Sequence, residues 1–483
     1  MVREFVEHKE LFIGGRWEAP SGNDVIEVVS PSSGEIVGRV PHASREDVDR
    51  SVTLARRAFD SGPWPRLPLE ERLVVLERFA AALQTRIPQL AAVISSENGS
   101  AITWALASQA GAPATVCGLA VQTARAFAFE VRRAGLRNEV IVRYEPVGVV
   151  AAVVPWNAPA FVSMNKLAPA LAAGCAVVLK PSPETPLDAY ILAEIAEEVG
   201  LPEGVLSVLP ADREVSEYLV AHPGIDKVSF TGSVGAGKRI MEVAAANLTR
   251  VTLELGGKSA AIILDDADLD HAVSTIGAAS WALNNGQACV ALTRVLAPRS
   301  RYDEIARRLT EAAKAAVVGD PEDPKTQVGP LVSRRQQQRV LDYIRIGREE
   351  GATLLTGGGV PEGLEQGCYV RPTVFGDVDN SMRIAQEEIF GPVVCLIPYD
   401  DEEDAIRIAN DSDYGLSGAV FTANSAHGIE VARRIRTGTL TVNGFATEPT
   451  APFGGFKNSG IGRELGEEGL RSFLEAKSIS IAG

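Results

Sequence analysis

The sequence predicts an α/β protein: a doubly wound parallel-sheet dinucleotide-binding domain, a second α/β catalytic domain and a small β flap. Three observations predict it. Short aliphatic segments alternate with single helical ones from Val149 to Leu253; the alternation restarts at Ala260; and the chain closes on an alternating stretch with no sequence neighbour to pair it. Strands this short and apolar, separated by single helices, belong in a buried parallel sheet covered on both faces. At 483 residues the chain also exceeds what one hydrophobic core normally serves.

In chain order, residues 25–29 and 36–40 read as two short strands joined by the turn Ser30-Pro31-Ser32-Ser33-Gly34. Helical periodicity covers 46–59, 69–84 and a long Ala-rich tract from about 103 to 132, and residues 140–144 alternate as a half-exposed strand. Strands are then expected at 149–153, 176–179, 206–209, 227–230 and 251–253. The second domain repeats the pattern at 260–264, around Val295, and at 373–375, 393–397, 419–421 and 440–442, with a first helix over about 269–283 ending just before Cys289. The expected limits are 1–134 and 149–255 for the dinucleotide-binding domain, 256–466 for the catalytic domain, and 135–148 with 467–483 for oligomerisation strands. The tail strand, 472–482, is an edge that needs cover, which a partner subunit could supply.

Composition narrows the function classes. A net charge of −15 opposes the counterion release on which nucleic-acid binding depends. The first ten residues lack the apolar core of a secretory signal, and the longest apolar run, Leu167 to Leu179, is too short and interrupted to span a bilayer. A cytoplasmic protein without nucleic-acid or membrane partners is expected. Five cysteines without CxxC or CxxH spacing, and five dispersed histidines, fit neither a disulfide framework nor a metal site.

Cys289 lies in Asn284-Asn285-Gly286-Gln287-Ala288-Cys289-Val290-Ala291, among small and amide-bearing residues, whereas Cys117, Cys175 and Cys395 sit in apolar runs as buried cysteines do. An accessible thiol in a polar loop is a candidate nucleophile. Four further stretches sit at strand ends, where open α/β sheets bind ligands. In Val154-Pro155-Trp156-Asn157-Ala158-Pro159, Asn157 either caps the next helix or offers its amide to an oxyanion. In Lys180-Pro181-Ser182-Pro183-Glu184, the prolines make a rigid platform from which the ammonium can meet a ribose hydroxyl or phosphate, or simply water. Thr231-Gly232-Ser233-Val234-Gly235-Ala236-Gly237-Lys238-Arg239 is a Gly-rich strand-to-helix turn suited to phosphate; Arg239 stands where a nucleotide hydrolase loop needs a hydroxyl for magnesium, which favours a dinucleotide pyrophosphate. In Glu254-Leu255-Gly256-Gly257-Lys258, a strand-end carboxylate precedes two glycines, and Glu254 is either a general base or a salt-bridged acid.

Together with Glu387-Glu388-Ile389-Phe390-Gly391-Pro392, Asn410 to Gly415, Gly438 to Asn443 and Pro452-Phe453-Gly454-Gly455-Phe456-Lys457-Asn458-Ser459-Gly460, these stretches resemble the NAD(P)-dependent aldehyde dehydrogenase superfamily over essentially the whole chain. The resemblance implies Cys289 as nucleophile, Asn157 with the Cys289 N–H as oxyanion donors and Glu254 as the base that hydrolyses a thioester, with Lys166 grouped among the catalytic residues. It implies NAD or NADP as cofactor, with NAD favoured. The cofactor would be held by Val154, Pro155, Trp156, Lys180, Ser182, Pro183, Gly232, Ser233, Leu255, Gly256, Glu388 and Phe390. It also implies a homodimer or homotetramer.

Two departures bear on specificity. Pro183 stands where NAD-preferring members often carry the acid that binds both ribose hydroxyls; the acid is displaced to Glu184, and no arginine in this loop pairs a 2′-phosphate. Pro210-Ala211-Asp212 replaces glycines often found near the adenine pocket. The substrate pocket is expected at Ala158, Val162, Asn165, Ala288, Val290 and Phe453; Ala158 and Asn165 stand at commonly bulky positions, so a bulky apolar, aromatic, terpenoid or medium-chain aldehyde is expected. Lys166 or Arg294 is the candidate partner for a second substrate carboxylate. The competing readings are a CoA-acylating semialdehyde dehydrogenase, opposed by Glu254; a P-loop nucleotide hydrolase, resting on the Gly232 turn alone; and a non-catalytic protein on this scaffold, opposed by retention of Cys289, Glu254 and Asn157.

Overall fold

A computed structural model describes residues 5–136 and 138–481. Residues 1–4, 137 and 482–483, and with them the outer limits of the expected domains and the end of the tail strand at Ala482, lie outside the described residues.

The first sheet has eight strands. Its parallel core is β1 (Val149–Val153), β2 (Ala176–Lys180), β3 (Leu206–Val208), β4 (Lys227–Thr231) and β5 (Arg250–Glu254), in spatial order β5-β4-β1-β2-β3. The chain winds outward from β1 through β2 to β3, then returns to the other side of β1 for β4 and β5. That reversal opens a crevice beyond the carboxyl ends of β1 and β4, the usual ligand site of an open α/β sheet. The register pairs Val153 with both Lys180 and Phe230, and Thr231 with Glu254, so the segments following these strands emerge at one edge. Two antiparallel strands, Leu11–Ile13 and Arg16–Glu18, extend the sheet beyond β3. Gly460–Ile461 extends it beyond β5. None of the three was expected, because two or three residues carry no readable period.

The second sheet has seven strands: Thr353–Thr356, then β8 (Thr373–Gly376), β9 (Val393–Tyr399), β7 (Leu292–Pro298), β6 (Ser259–Ile263), β10 (Gly418–Phe421) and β11 (Thr441–Val442) in spatial order. All pairs are parallel except the first. Residues 255–258 run directly from β5 of one sheet to β6 of the other, and Cys289 precedes β7. The carboxyl edge of the first sheet therefore faces the amino edge of the second.

The helix at the centre of the first domain, α2 (Pro159–Ala173), has proline at its first position and Gly174 in the left-handed region at its end, a favourable pair of terminators. Except for the half-buried Phe161, all its residues are buried, as its all-round apolar sequence requires. It packs against β1, against α1 (Ala112–Ala126) and against the C-terminal helix Gly466–Arg471.

Three expected boundaries need correction. The tract expected as helix to residue 132 contains a wider π-type turn at Ala105–Ala110 and stops at Ala126. Phe127 is extended, and Glu130–Ala134 pairs antiparallel with Glu139–Pro146. Residues 130–134 thus join the flap, because Phe127 packs edge-on against Phe129 and Tyr144 and so turns the chain back. The helix expected to 283 ends at Ala279, where Ser280 leaves helical geometry and its hydroxyl donates to the Ile276 carbonyl at 2.6 Å. The tail strand, Leu474–Ser480, pairs with Glu139–Pro146 and forms the outer strand of the three-stranded flap.

Candidate active site

Asn284, Asn285 and Gly286 occupy the left-handed region with φ of 48°, 60° and 76°, a conformation that asparagine and glycine tolerate best. The turn is pinned by its own amides. Asn285 Nδ2 donates to the Gly99 and Pro330 carbonyls at 3.0 and 2.8 Å, Gln287 Oε1 accepts from Val332 N–H at 2.9 Å, and Asn284 Nδ2 donates to the Asn157 carbonyl at 2.7 Å. Asn284 Oδ1 accepts from Gln109 and Ser100. Sequence reasoning treated these amides as the polar packaging of the thiol; their role is to lock the loop, and Ser100 and Gln109, as well as Asn98, whose Nδ2 donates to the Trp156 and Asn157 carbonyls at 3.4 Å, were missed because their distance along the chain hides the contact. The result is a half-buried Cys289, whereas the other four cysteines are buried. A Cβ at Gly257 would overlap the Cys289 carbonyl, so only glycine lets the strand end approach the loop.

Asn157 does not cap α2: the capping position is Ala158, without a side-chain cap bond. Its Nδ2 donates one hydrogen to the Gln287 carbonyl at 2.9 Å, which aims the amide at the nucleophile loop and leaves the second hydrogen for an oxyanion. Asn157→Ala is expected to lower kcat by about 10²–10³-fold, the usual cost of one oxyanion donor; steady-state turnover within a few-fold of wild type would remove Asn157 from that role.

Burial first, then the facing carboxylates of Glu388 and Glu254, push the Cys289 thiol up to about 12, against opposing hydrogen bonds from the Cys289 and Val290 N–H groups. Glu254 is 3% exposed and neither carboxylate oxygen has a protein partner, which excludes a salt-bridged acid. Burial and the neighbouring Glu464 raise its pKa well above the ordinary value, partly offset by Lys166 and Arg463. An unpaired, buried carboxyl of raised pKa beside a thiol has the character of a general base for neutral-pH chemistry.

Lys166 lies behind Glu254 and is coupled to its charge. Its ammonium is fully buried, forms an ion pair with Glu464 and donates to Thr231 Oγ1 at 2.7 Å. Among the described residues no hydrogen bond or ion pair joins its side chain to the thiol loop, and its charge favours the ionised form of Glu254. Glu464, 3% exposed, was missed, since nothing in Ile461-Gly462-Arg463-Glu464 separates it from a solvated loop acid. The expected sign is testable in both directions: Lys166→Met leaves two carboxylates uncompensated and moves the rising limb of the pH–kcat profile to higher pH, whereas Glu464→Gln removes the like charge and moves it to lower pH. Coincident profiles for the three proteins would show that the pair does not tune Glu254. Arg294 is likewise unable to meet a substrate: 2% exposed, it donates to the Lys258, Ile408 and Ala409 carbonyls and to Asn380.

The expected cofactor residues border the crevice. Val154 N–H donates to the Lys180 carbonyl at 3.1 Å and directs Pro155 and Trp156 across the β1 end, where the Trp156 and Phe390 rings meet edge to face at 5.3 Å. Lys180 is 7% exposed, and its ammonium has no ion pair or hydrogen bond among the described residues. Burial lowers its pKa to about 8, against the opposing charges of Glu184 and Asp212. Ser182 donates to Glu184 at 2.5 Å, beside the half-buried Pro183. Ser233 is the N-cap of α3 (Val234–Ala245), its Oγ accepting from Ala236 N–H at 3.3 Å, so the Gly232 turn presents a helix N-terminus to the crevice. Leu255 packs against Gly237 of α3. Gly257 N–H donates to Glu388 Oε1 at 2.9 Å, and a Cβ at Gly256 would occupy the place of that carboxylate. An unsatisfied ammonium, a helix N-terminus and a carboxylate cradled by glycines along one edge fit the ribose, pyrophosphate and second ribose of a dinucleotide. One expectation changes: an arginine does reach the Lys180 loop, because Arg335 of the second domain pairs with Glu184 at 3.3 Å.

Ala158 and Phe453 are half-buried and pack against the same apolar cluster, Val162 and Asn165 are buried, and Ala288 and Val290 flank the thiol half-buried.

Comparison with known proteins agrees with this geometry. Residues 17–479 match the model of the aldehyde dehydrogenase family. A geranial dehydrogenase of Castellaniella defragrans is 47% identical, covering 99% of this chain and 100% of the relative. A 3-succinoylsemialdehyde-pyridine dehydrogenase of Pseudomonas sp. is 45% identical, covering 98% of each. A Mycobacterium tuberculosis aldehyde dehydrogenase solved with NAD+ superposes with a TM-score of 0.97 at 50% identity over 99% of both chains. A mutant aldehyde dehydrogenase of Pseudomonas syringae solved with NAD+ and octanal superposes with a TM-score of 0.95 at 42% identity, covering 98% of this chain and 96% of that one. The chain belongs to the aldehyde dehydrogenase family.

Proposed function

We propose that this aldehyde dehydrogenase oxidises a medium-sized, uncharged aldehyde to its carboxylate with NAD(P), through a thioester on Cys289. The observation that carries the reading is the convergence of three groups from separate elements: the half-buried Cys289, the Asn157 amide aimed at its loop, and Glu254, buried with no protein partner. Cys289 Sγ adds to the aldehyde carbon while its proton leaves for water, and Asn157 Nδ2 with the Cys289 N–H holds the resulting oxyanion. When bound along Lys180, the Gly232–Ser233 turn and Glu388, the oxidised nicotinamide supplies positive charge near the thiol and the acceptor for the aldehyde hydride. Glu254 then takes a proton from water as the water oxygen attacks the thioester carbon. The C–S bond breaks, the carboxylate leaves and the sulfur is restored.

NAD is the favoured form, because Ser182 and Arg335 hold Glu184 near Lys180, and a carboxylate there repels a 2′-phosphate. The outer edge of Leu474–Ser480, almost wholly exposed, supports pairing with another subunit in a homodimer or homotetramer. Among the described residues no helix is long and apolar enough to cross a membrane, and the free cysteines suit a reducing cytoplasm. The test is an aldehyde panel assayed separately with NAD and NADP by absorbance of the reduced cofactor. Turnover of uncharged medium-chain aldehydes, greater with NAD, is expected; no reduction of either cofactor across the panel would refute the reading.

A further inference from the structure

The face of α2 that begins beside Asn157 is apolar and ends in a polar group. At about 100° per residue Ala158, Val162, Asn165 and Pro169 fall in one narrow stripe, and at ~1.5 Å rise per residue Asn165 stands roughly 10 Å from Ala158. There the stripe meets a cleft lined by Val116, Ala120 and Thr123 of α1, by Asn165 and Pro169 of α2, and by Leu465. Both ends border the same apolar cluster: Val116 and Leu465 are part of it, and Ala158, Phe161 and Phe453 pack against it.

Two polar side chains interrupt this apolar surface. Asn165 is 3% exposed, its Oδ1 has no partner, and its carboxamide makes no hydrogen bond among the described residues. Thr123 is half-buried, and its hydroxyl is likewise without a hydrogen bond. Burying a primary amide unsatisfied costs stability that a leucine of similar size would avoid. The cost is recovered when a ligand completes the hydrogen bonds. No free cation lines the cleft: Lys166, next in sequence, is committed to Glu464 and Thr231. A carboxylate at this end would be an unpaired charge in an apolar cleft.

We propose that Asn165 and Thr123 form a subsite for a hydroxyl group at the far end of the aldehyde substrate, the hydroxyl donating to Asn165 Oδ1 and accepting from Thr123 Oγ1. The separation of about 10 Å matches an extended chain of roughly eight carbons with bonds near 1.5 Å. This inference rests on the proposal that Cys289 takes an aldehyde. It makes Asn165 and Thr123 specificity residues, remote from the reacting atoms, whose contact is the same in the ground and transition states and therefore acts on KM.

The experiment compares octanal, 8-hydroxyoctanal and 8-oxooctanoate as substrates of the full-length protein with NAD. In the wild type kcat/KM is expected to be about tenfold higher for 8-hydroxyoctanal than for octanal and at least about 100-fold lower for 8-oxooctanoate. Asn165→Leu should reverse the first preference, read as the hydroxyoctanal-to-octanal ratio of KM values, and should raise Tm, since it removes an unsatisfied amide. Thr123→Val should reduce the same preference without affecting the α2 packing, and it carries the test alone if Asn165→Leu does not fold. Turnover of all three aldehydes with the same hydroxyoctanal-to-octanal ratio in wild type and variants would overturn the subsite alone. Turnover of none of them would overturn the oxidation reading and the subsite with it.

Discussion

Cys289→Ala is expected to lower aldehyde-dependent NAD(P)H production by about 10⁵–10⁶-fold, the scale of losing a catalytic nucleophile, with Tm and cofactor affinity close to those of the wild type. The expectation rests on redundancy being absent. Cys289 is half-buried, whereas Cys117, Cys175, Cys368 and Cys395 are all buried. None of them can replace a sulfur held in the crevice by the Asn284–Gln287 lock. Folding should survive, because Cys289 is half-buried and the lock is built from neighbouring amides and not from the thiol. Residual turnover within about a hundredfold of wild type, in protein shown by mass to lack the thiol, would mean that another group attacks the aldehyde.

The second large effect separates the two halves of the reaction. Glu254→Gln keeps the shape of the side chain but removes the base, so rapid mixing with aldehyde and NAD should show one burst of reduced cofactor per subunit. Steady-state turnover should then fall by about 10²–10⁴-fold, with an acyl adduct on Cys289 visible by intact mass. The burst itself should not be slowed by electrostatics, because the Glu254 charge is one of the two that raise the thiol. In the wild type the same raised carboxyl predicts that thioester hydrolysis speeds up with pH as Glu254 loses its proton, and that the Gln variant loses this limb. Unchanged steady-state turnover in Glu254→Gln would assign the base elsewhere; the absence of both burst and adduct would place Glu254 before the thioester.

Much of this site was legible before folding because its residues sit at strand ends, and strand ends are marked locally by the change from aliphatic runs to Gly, Pro, Asn and Lys. Val154 to Asn157, Lys180 to Pro183, Gly232-Ser233 and Glu254 to Gly256 each follow a parallel strand whose register brings them to one edge. What escaped was whatever depends on contact between distant segments. Glu464 reaches Lys166 from the far end of the chain, Arg335 reaches Glu184 from the other domain, and Asn284 is held by Ser100 and Gln109. No period or spacing encodes such pairings. The same blindness made Lys166 and Arg294 candidate partners for a second substrate carboxylate, since a buried and an exposed cation look alike in one dimension.

The sequence by itself determined the two-sheet α/β architecture, the order of its strands along the chain, and Cys289, Asn157 and Glu254 as the reactive candidates, because alternation of aliphatic and helical segments and the chemistry of short loops are local properties. Only the tertiary structure decided that Asn157 is no helix cap, that Glu254 is unpaired and Lys166 paired, and that Asn165 ends an apolar stripe without a hydrogen-bond partner. Those facts depend on burial and on partners brought together by the fold, and it is burial that decides whether a polar group is a solvated decoration or a group whose charge and hydrogen bonds must be accounted for.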